Sequence, residues 1–305
     1  MYSKQCKQWW ATIRRVLTLE TRLAPFQLLG PLIIVLFAIT IFPTVYAIWA
    51  STLYWHLDVS AKHFVGIANF QHMFYDLRFW NAFKNTAIFT VGSLICELVL
   101  GMAIALLMVN SHFGSRLSKS LILIPMLSTP VVVGLMWVLL YDPQFGLLNY
   151  LFNLVGLPRQ SWLASEHYAL VALIVIDIWE WTPFVVLILM AGLQSLPSDI
   201  YEAARCDGAG AWQAFRNVTL PLMKPFISIA LVFRFMDAFR WFDTIYVVTK
   251  GGPGIATENW SMYGYLTGFS YLNMGYSAAM GVVMLIVIIA ISQLIIKRLF
   301  TGYNN

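Results

Sequence analysis

Long apolar runs recur through this 305-residue chain, and they limit what it can fold into more than any other feature. They lie at about Phe26–Ala50, Asn85–Asn110, Ser120–Tyr141, Tyr168–Leu193, Leu222–Val248 and Tyr276–Ile296. Each reaches the roughly 20 residues that a helix needs to cross about 30 Å of hydrocarbon. Inside lipid only helices and closed barrels satisfy their own backbone, and no run shows the alternation of a barrel strand. Apolar residues make up 60% of the chain and charged residues 11%, far from the balance of a water-soluble domain. The expectation is an all-α integral membrane protein with six transmembrane helices. The first run follows a basic tail, but it exceeds the roughly 7–15 residues of a secretory core and is read as a retained helix.

The formal charge of +5 does not point to nucleic acid, because Lys and Arg gather in short segments between the apolar runs. Five lie in the tail (Lys4, Lys7, Arg14, Arg15, Arg22), two in 111–119, three in 193–224 and two after Ile296. The alternate segments 51–84, 142–167 and 249–275 hold five against those twelve. The positive-inside rule therefore places both termini and the loops 111–119 and 193–224 in the cytosol. Trp9, Trp10, Ile13, Val16 and Leu17 fall near one helical face, which suits an interfacial anchor at the inner leaflet. The organisation expected is an N-terminal tail over 1–25, a membrane domain over 26–298 and a C-terminal tail over 299–305. Cys6, Cys96 and Cys206 have no paired or CxxC spacing, so neither a disulfide framework nor a zinc site follows.

The loop from Ser195 to Pro221 is too polar and glycine-punctuated to enter lipid. Ser198 or Asp199 after Pro197 suits a helix start, and Glu202 falls near the positive end of that helix's dipole. Gly208 or Gly210 supplies a stop, since glycine accepts the left-handed turn that ends helices. Glu202-Ala203-Ala204, Gly208 and Val218-Thr219-Leu220-Pro221 closely resemble the EAA loop of binding-protein-dependent ABC importer permeases, with Val218 where the pattern usually has Ile. The segments Phe64–Phe70, Trp179–Phe184 and Phe242–Pro253 resemble the carbohydrate-uptake branch, which includes maltose and glycerol-phosphate importers.

The resemblance extends from about Leu23 to Arg298 and implies a short cytosolic coupling helix that docks on an ATPase. Carried over to this chain, Glu202 contacts the ATPase, Ala203 and Ala204 permit close approach, Gly208 makes the turn, and Asp207 belongs to the same coupling surface. It further implies a location in a bacterial inner membrane, a second related permease, a dimeric cytosolic ATPase that holds ATP and Mg, and an extracytoplasmic solute-binding protein. No cofactor is expected in this chain, which lacks a GxxxxGK[ST] loop. No residue is read as catalytic or metal-binding.

Apart from Lys224, which counts with the preceding loop, seven formally charged residues fall within the apolar runs: Glu97, Asp177, Glu180, Arg234, Asp237, Arg240 and Asp243. Each costs several kcal/mol, about 2.5–3.5 on insertion scales, unless it faces protein or a wet cavity. Arg234, Asp237, Arg240 and Asp243 recur every third residue with alternating sign, so neighbours on one continuous helix neutralise each other. Asp237, Arg240, Trp241 and Asp243 are candidates to line a solute pathway. Glu180 between Trp179 and Trp181 offers aromatic faces for a sugar and a carboxylate for its hydroxyls. The substrate expected is a sugar or sugar derivative, with a polyol or a glycerol-phosphate-type solute as alternatives. Readings from other classes are an ion-coupled secondary carrier and an integral-membrane enzyme using Asp177 and Glu180.

Overall fold

A computed structural model describes residues 24–59, 61–110 and 116–300. The expected interfacial anchor and the ends of both tails lie outside these residues. The first span is helix α1 (Ala24–Leu36), a π-helical turn over Phe37–Ile41 and α2 (Phe42–Ser51). The wide turn has a local cause. Pro43 cannot donate a backbone hydrogen bond, and just before it the Phe42 N–H reaches back five residues to the Phe37 carbonyl.

A two-stranded ribbon follows, with β1 (Leu53–Tyr54) antiparallel to β2 (His63–Phe64) and Tyr54 opposite His63. Helix α3 (Ala68–Tyr75) then leads into the long α4 (Leu77–Asn110). Next come α5 (Arg116–Leu121), α6 (Ile124–Leu127), α7 (Pro130–Leu140) and α8 (Leu147–Leu154). Helix α9 (Ala169–Ser195) precedes the short pair α10 (Ser198–Cys206) and α11 (Ala211–Ala214). A second π-turn over Phe215–Thr219 enters α12 (Leu220–Phe239), followed by α13 (Asp243–Val248). The last elements are α14 (Trp260–Tyr265), a π-turn over Leu266–Ser270 and α15 (Met274–Phe300).

Among the described residues five helical stretches are long and apolar enough to cross a membrane: Leu29–Ser51, Leu77–Val109, Ala169–Ser195, Ala211–Val248 and Met274–Arg298. The expected third span, Ser120–Tyr141, is not one helix. Its longest piece is the 11-residue α7, preceded by two short helices. Pro130 disfavours helical backbone at Thr129, which is extended with ψ 142°, and Ser128 is extended with ψ 147°. The expected fifth span is also divided, since α12 ends at Phe239 and α13 begins at Asp243.

Helices α4 and α9 form the main packing pair. Gly101 permits their closeness, because a Cβ there would lie 2.7 Å from Val185 Cγ1. Two apolar cores result. One gathers Phe89, Leu94, Ile176, Phe235, Phe239 and Trp260. The other gathers Met102, Met108, Val185, Leu189, Met223 and Ala230. Along α4, α9 and α12 the boundary between them falls at Glu97, Asp177–Glu180 and Arg234, and all four residues are buried.

The start of α4 is bolted to the segment after α13. Arg78 donates from Nε and Nη2 to the two oxygens of Glu258, each at 2.7 Å, and its guanidinium lies 5.2 Å from the Tyr263 ring. Asn81 and Asn85 donate to the Ile255 carbonyl, and Asn85 also to that of Glu258. Arg78, Asn81 and Asn85 recur at helical spacing, so one stripe of α4 holds the whole loop.

Asp76 caps α4 by accepting from the Arg78 and Phe79 N–H groups, and its other oxygen accepts from the hydroxyls of Tyr263 and Tyr276 at 2.6 and 2.7 Å. Burial raises its pKa, but the hydrogen bonds from Tyr263, Tyr276 and the two backbone groups outweigh burial and hold it below the ordinary 3.8. A depressed folded value means that this tie contributes fully above the unfolded pKa and is lost as pH falls through the folded one. Amide exchange in the first turn of α4 is therefore expected to stay slow from neutral pH down to about 5 and to accelerate below about 4. In Asp76→Asn that acid-triggered step should be absent; an unchanged step in the variant would assign it to another group.

Candidate functional site

The mid-membrane cluster is built around Arg234 on α12. Its Nε and Nη2 donate to both oxygens of Glu97 on α4 at 2.7 Å. Nη2 also donates to Asp177 on α9 at 3.0–3.1 Å, and Nη1 to Asp237 one turn along α12 at 2.7 Å. Trp181 covers the guanidinium at 4.9 Å. Arg234 is 2% exposed, and Glu97 and Asp177 are fully buried. Three helices thus meet on one planar fork, a geometry that lysine cannot reproduce. Charge pairing between helices, not only along one, lowers the expense of these groups in the bilayer.

The sequence expectation of a continuous alternating series is corrected here. The run Arg234, Asp237, Arg240 holds at three-residue spacing, with Arg240 3.8 Å from Asp237, but the helix stops before Asp243. The stop is fixed from outside. The Ser261 hydroxyl donates to the Arg240 carbonyl, and the Asn259 amide to that of Trp241, so side chains at the start of α14 serve carbonyls that a continuing helix would have used. Asp243 opens the first turn of α13 and is exposed.

Trp241, expected on the pathway, is buried, and its ring stacks on Phe89 at 4.5 Å in the outer core. Trp179 and Trp181 do not make one aromatic platform around Glu180. Successive helical residues point about 100° apart, and Trp179 meets Trp137 on α7 whereas Trp181 meets Phe184 and Arg234. Glu180 itself is 1% exposed, with Oε2 lacking a hydrogen-bond partner among the described residues. Asp237 is one-third exposed and Arg240 two-thirds exposed. An aromatic ladder was not foreseen: Phe242, Tyr246, Tyr265 and Phe269 follow one another with ring centroids 5.1–5.5 Å apart. Phe242 directly precedes α13, Tyr246 lies on it, and Tyr265 and Phe269 come from α14 and the π-turn after it, so the Phe242–Tyr246 and Tyr265–Phe269 spacings carried local signals but the junction between the two pairs did not.

The second candidate site is α10 and its ending. Glu202, Ala203 and Asp207 are exposed and Ala204 half-buried. Gly208 takes φ +78°, its N–H bonds to the Arg205 carbonyl, and the Ala209 N–H reaches the Ala204 carbonyl at 2.9 Å. Those two bonds are a Schellman ending. A Cβ on Gly208 would meet nothing within 4 Å, so the demand for glycine comes from backbone conformation alone. The Tyr201 hydroxyl pairs with Thr219 Oγ1 at 3.1 Å and ties α10 to the π-turn that enters α12. Any push on α10 thus has a short covalent and hydrogen-bonded route to the helix that carries Arg234.

Residues 97–303 match the family of binding-protein-dependent transport system inner membrane components. The chain belongs to that family. This transport component spans the helices that hold both sites, and it is a transport subunit, not an enzyme. It is 41% identical to a probable ABC transporter permease protein, y4oQ, of Sinorhizobium fredii, over 85% of this chain and 84% of that one. It is 36% identical to the trehalose/maltose transport system permease protein MalF of Thermococcus litoralis, over 84% and 85%. It is 34% identical to the sulfoquinovosyl glycerol transport system permease protein SmoG of Agrobacterium fabrum, over 92% and 90%. A crystal structure of a bacterial ABC transporter for the acidic polysaccharide alginate shares the fold, with TM-score 0.75 and 22% identity over 94% of this permease and 96% of that chain.

Proposed function

We propose that this permease forms half of the translocation pathway for a sugar or sugar derivative, with a second homologous permease supplying the other half. The cargo is handed over by an extracytoplasmic binding protein. A dimeric ATPase, which holds ATP and Mg, docks on α10 through Glu202, Ala203, Ala204, Asp207 and the Gly208 turn. The membrane domain occupies 26–298 with six crossings, the broken segment Arg116–Leu140 providing the third, and both termini lie in the cytosol.

The observation that carries this reading is α10 itself: a nine-residue helix with an exposed acidic face, closed by a left-handed glycine and tied through Tyr201 to α12. The carbohydrate assignment is supported by the relatives named for trehalose, maltose and sulfoquinovosyl glycerol transport.

The test is reconstitution with the neighbouring permease, ATPase and binding protein, reading ATPase stimulation across neutral, phosphorylated and sulfonated sugars and polyols. Stimulation that needs both the binding protein and a sugar is the expected result; a competent ATPase that answers no carbohydrate overturns the cargo class. Gly208→Val forces a β-branched residue into the left-handed region, at roughly 1–2 kcal/mol or more. That variant and Glu202→Lys should each lower coupled uptake at least ~10-fold, about the factor that 1.4 kcal/mol represents, while membrane insertion stays normal. Wild-type uptake in both would remove α10 from the coupling route.

A further inference from the structure

We infer that this chain's share of the pathway carries a fixed negative field, which favours neutral or cationic carbohydrates over anionic ones. The inference rests on the pathway reading above and adds the charge class of the cargo. The candidate spans carry further basic residues toward their ends, but within their inner stretches 85–110, 168–193 and 225–248 five carboxylates stand against two guanidiniums. Arg234 has no face left for a solute: it is 2% exposed, and its N–H groups already serve Glu97, Asp177 and Asp237. Among the described residues of those inner stretches Arg240 is then the open cation, and Asp237 lies 3.8 Å from it.

On the acidic side the groups are not all answered. Glu180 is nine-tenths buried or more, and its Oε2 accepts nothing from the described residues. It lies within electrostatic reach of Asp177, Arg234, Asp237 and Asp243. Asp243 is exposed one turn before Tyr246, and Asp237 is one-third exposed. A carboxylate only accepts hydrogen bonds, and a sugar hydroxyl or an ammonium group donates them. The stacked rings of Phe242, Tyr246 and Tyr265 beside these acids suit the apolar faces of a pyranose. A uronate or sulfonate brought beside Asp237 and Asp243 meets their repulsion, with Arg240 opposing it. Low-dielectric walls strengthen that preference, because a cleft lined by one sign raises the local concentration of the other by about 10-fold or more.

The test places a reporter thiol beside the acids. In the assembled complex, with Cys6, Cys96 and Cys206 of this chain replaced by serine, Tyr246→Cys is treated with a cationic (trimethylammonium-ethyl) or an anionic (sulfonatoethyl) methanethiosulfonate. Labelling of this chain is followed by mass spectrometry, and 2-mercaptoethanol gives the intrinsic reactivity ratio. The expected result is a cation-to-anion ratio at least ~10-fold above that of 2-mercaptoethanol, falling toward it when Asp243→Asn is added. Asp237→Asn replaces Asp243→Asn if the latter does not assemble. A ratio equal to or below the free-thiol value, a ratio insensitive to the neutralising variant, or no labelling by either reagent overturns the inference. Neither cargo nor binding protein is needed. A negative field with no ATPase response to any carbohydrate would therefore sink the cargo reading alone, and a carbohydrate response without cation preference would sink the field alone.

Discussion

Arg234→Met is expected to lower the stability of the helical bundle by about 3–5 kcal/mol, the usual effect of removing one partner from a buried ion pair. The loss arises from what remains. Glu97 and Asp177 are both fully buried, and without the guanidinium they lose four hydrogen bonds from a cation. Arg234→Lys should fare little better, because one ammonium cannot span Glu97, Asp177 and Asp237 together. The decisive control is the triple variant Arg234→Met, Glu97→Gln, Asp177→Asn, which removes the stranded charges with their partner. Thermal unfolding in detergent should place it nearer to wild type than Arg234→Met alone. Equal destabilisation of the single and triple variants would mean that the fork matters for shape and not for charge.

Arg78→Ala should free the segment 249–259 at the outer surface. Glu258 is 2% exposed and Arg78 about one-third, so the arginine variant leaves a buried carboxylate unpaired, whereas Glu258→Gln leaves a cation that water can reach. The expected destabilisation is about 3 kcal/mol for Arg78→Ala, the low end for a broken buried pair because one partner is partly hydrated. Glu258→Gln should fall well below that. Limited proteolysis across 249–259 reads both, and a reversed order would show that the loop is held by Asn81 and Asn85 instead. Asn259 at the end of the loop and Ser261 just after it on α14 bond the Trp241 and Arg240 carbonyls that follow α12. Release of the loop should therefore reach the exposed acids around α13 as well as the surface.

Much of the fold was legible because lipid imposes a length and polarity rule that composition obeys directly. Four of the six expected runs coincide with single helical spans or with one interrupted only by a π-turn, and the cytosolic loop carried its own start and stop residues. The third run looked continuous by apolarity, yet Pro125 and Pro130 held the contrary signal: residues before proline avoid helical backbone. The end of α12 gave no such warning, since Arg240-Trp241-Phe242 contains neither glycine nor proline and the stop is made by side chains about 20 residues on. Arg234's partners lie 57 and 137 residues away on other helices, beyond the reach of spacing rules, so only its neighbour Asp237 was visible. Trp241 illustrates the same limit: its position beside charged residues suggested a pathway, and its ring turns to Phe89 instead.

The cluster at the boundary of the two cores also sets a schedule for making the protein. Glu97 precedes Arg234 by 137 residues. At the ~5–20 residues per second of a translating ribosome, that is an interval of about 7–27 s during which α4 has been synthesised and its cation has not. Through that interval α4 has to be sheltered beside the insertion machinery or carry an uncompensated carboxyl group into lipid. The bundle closes only when α12 emerges, so α4, α9 and α12 finish assembly together, late in synthesis, instead of one helix at a time.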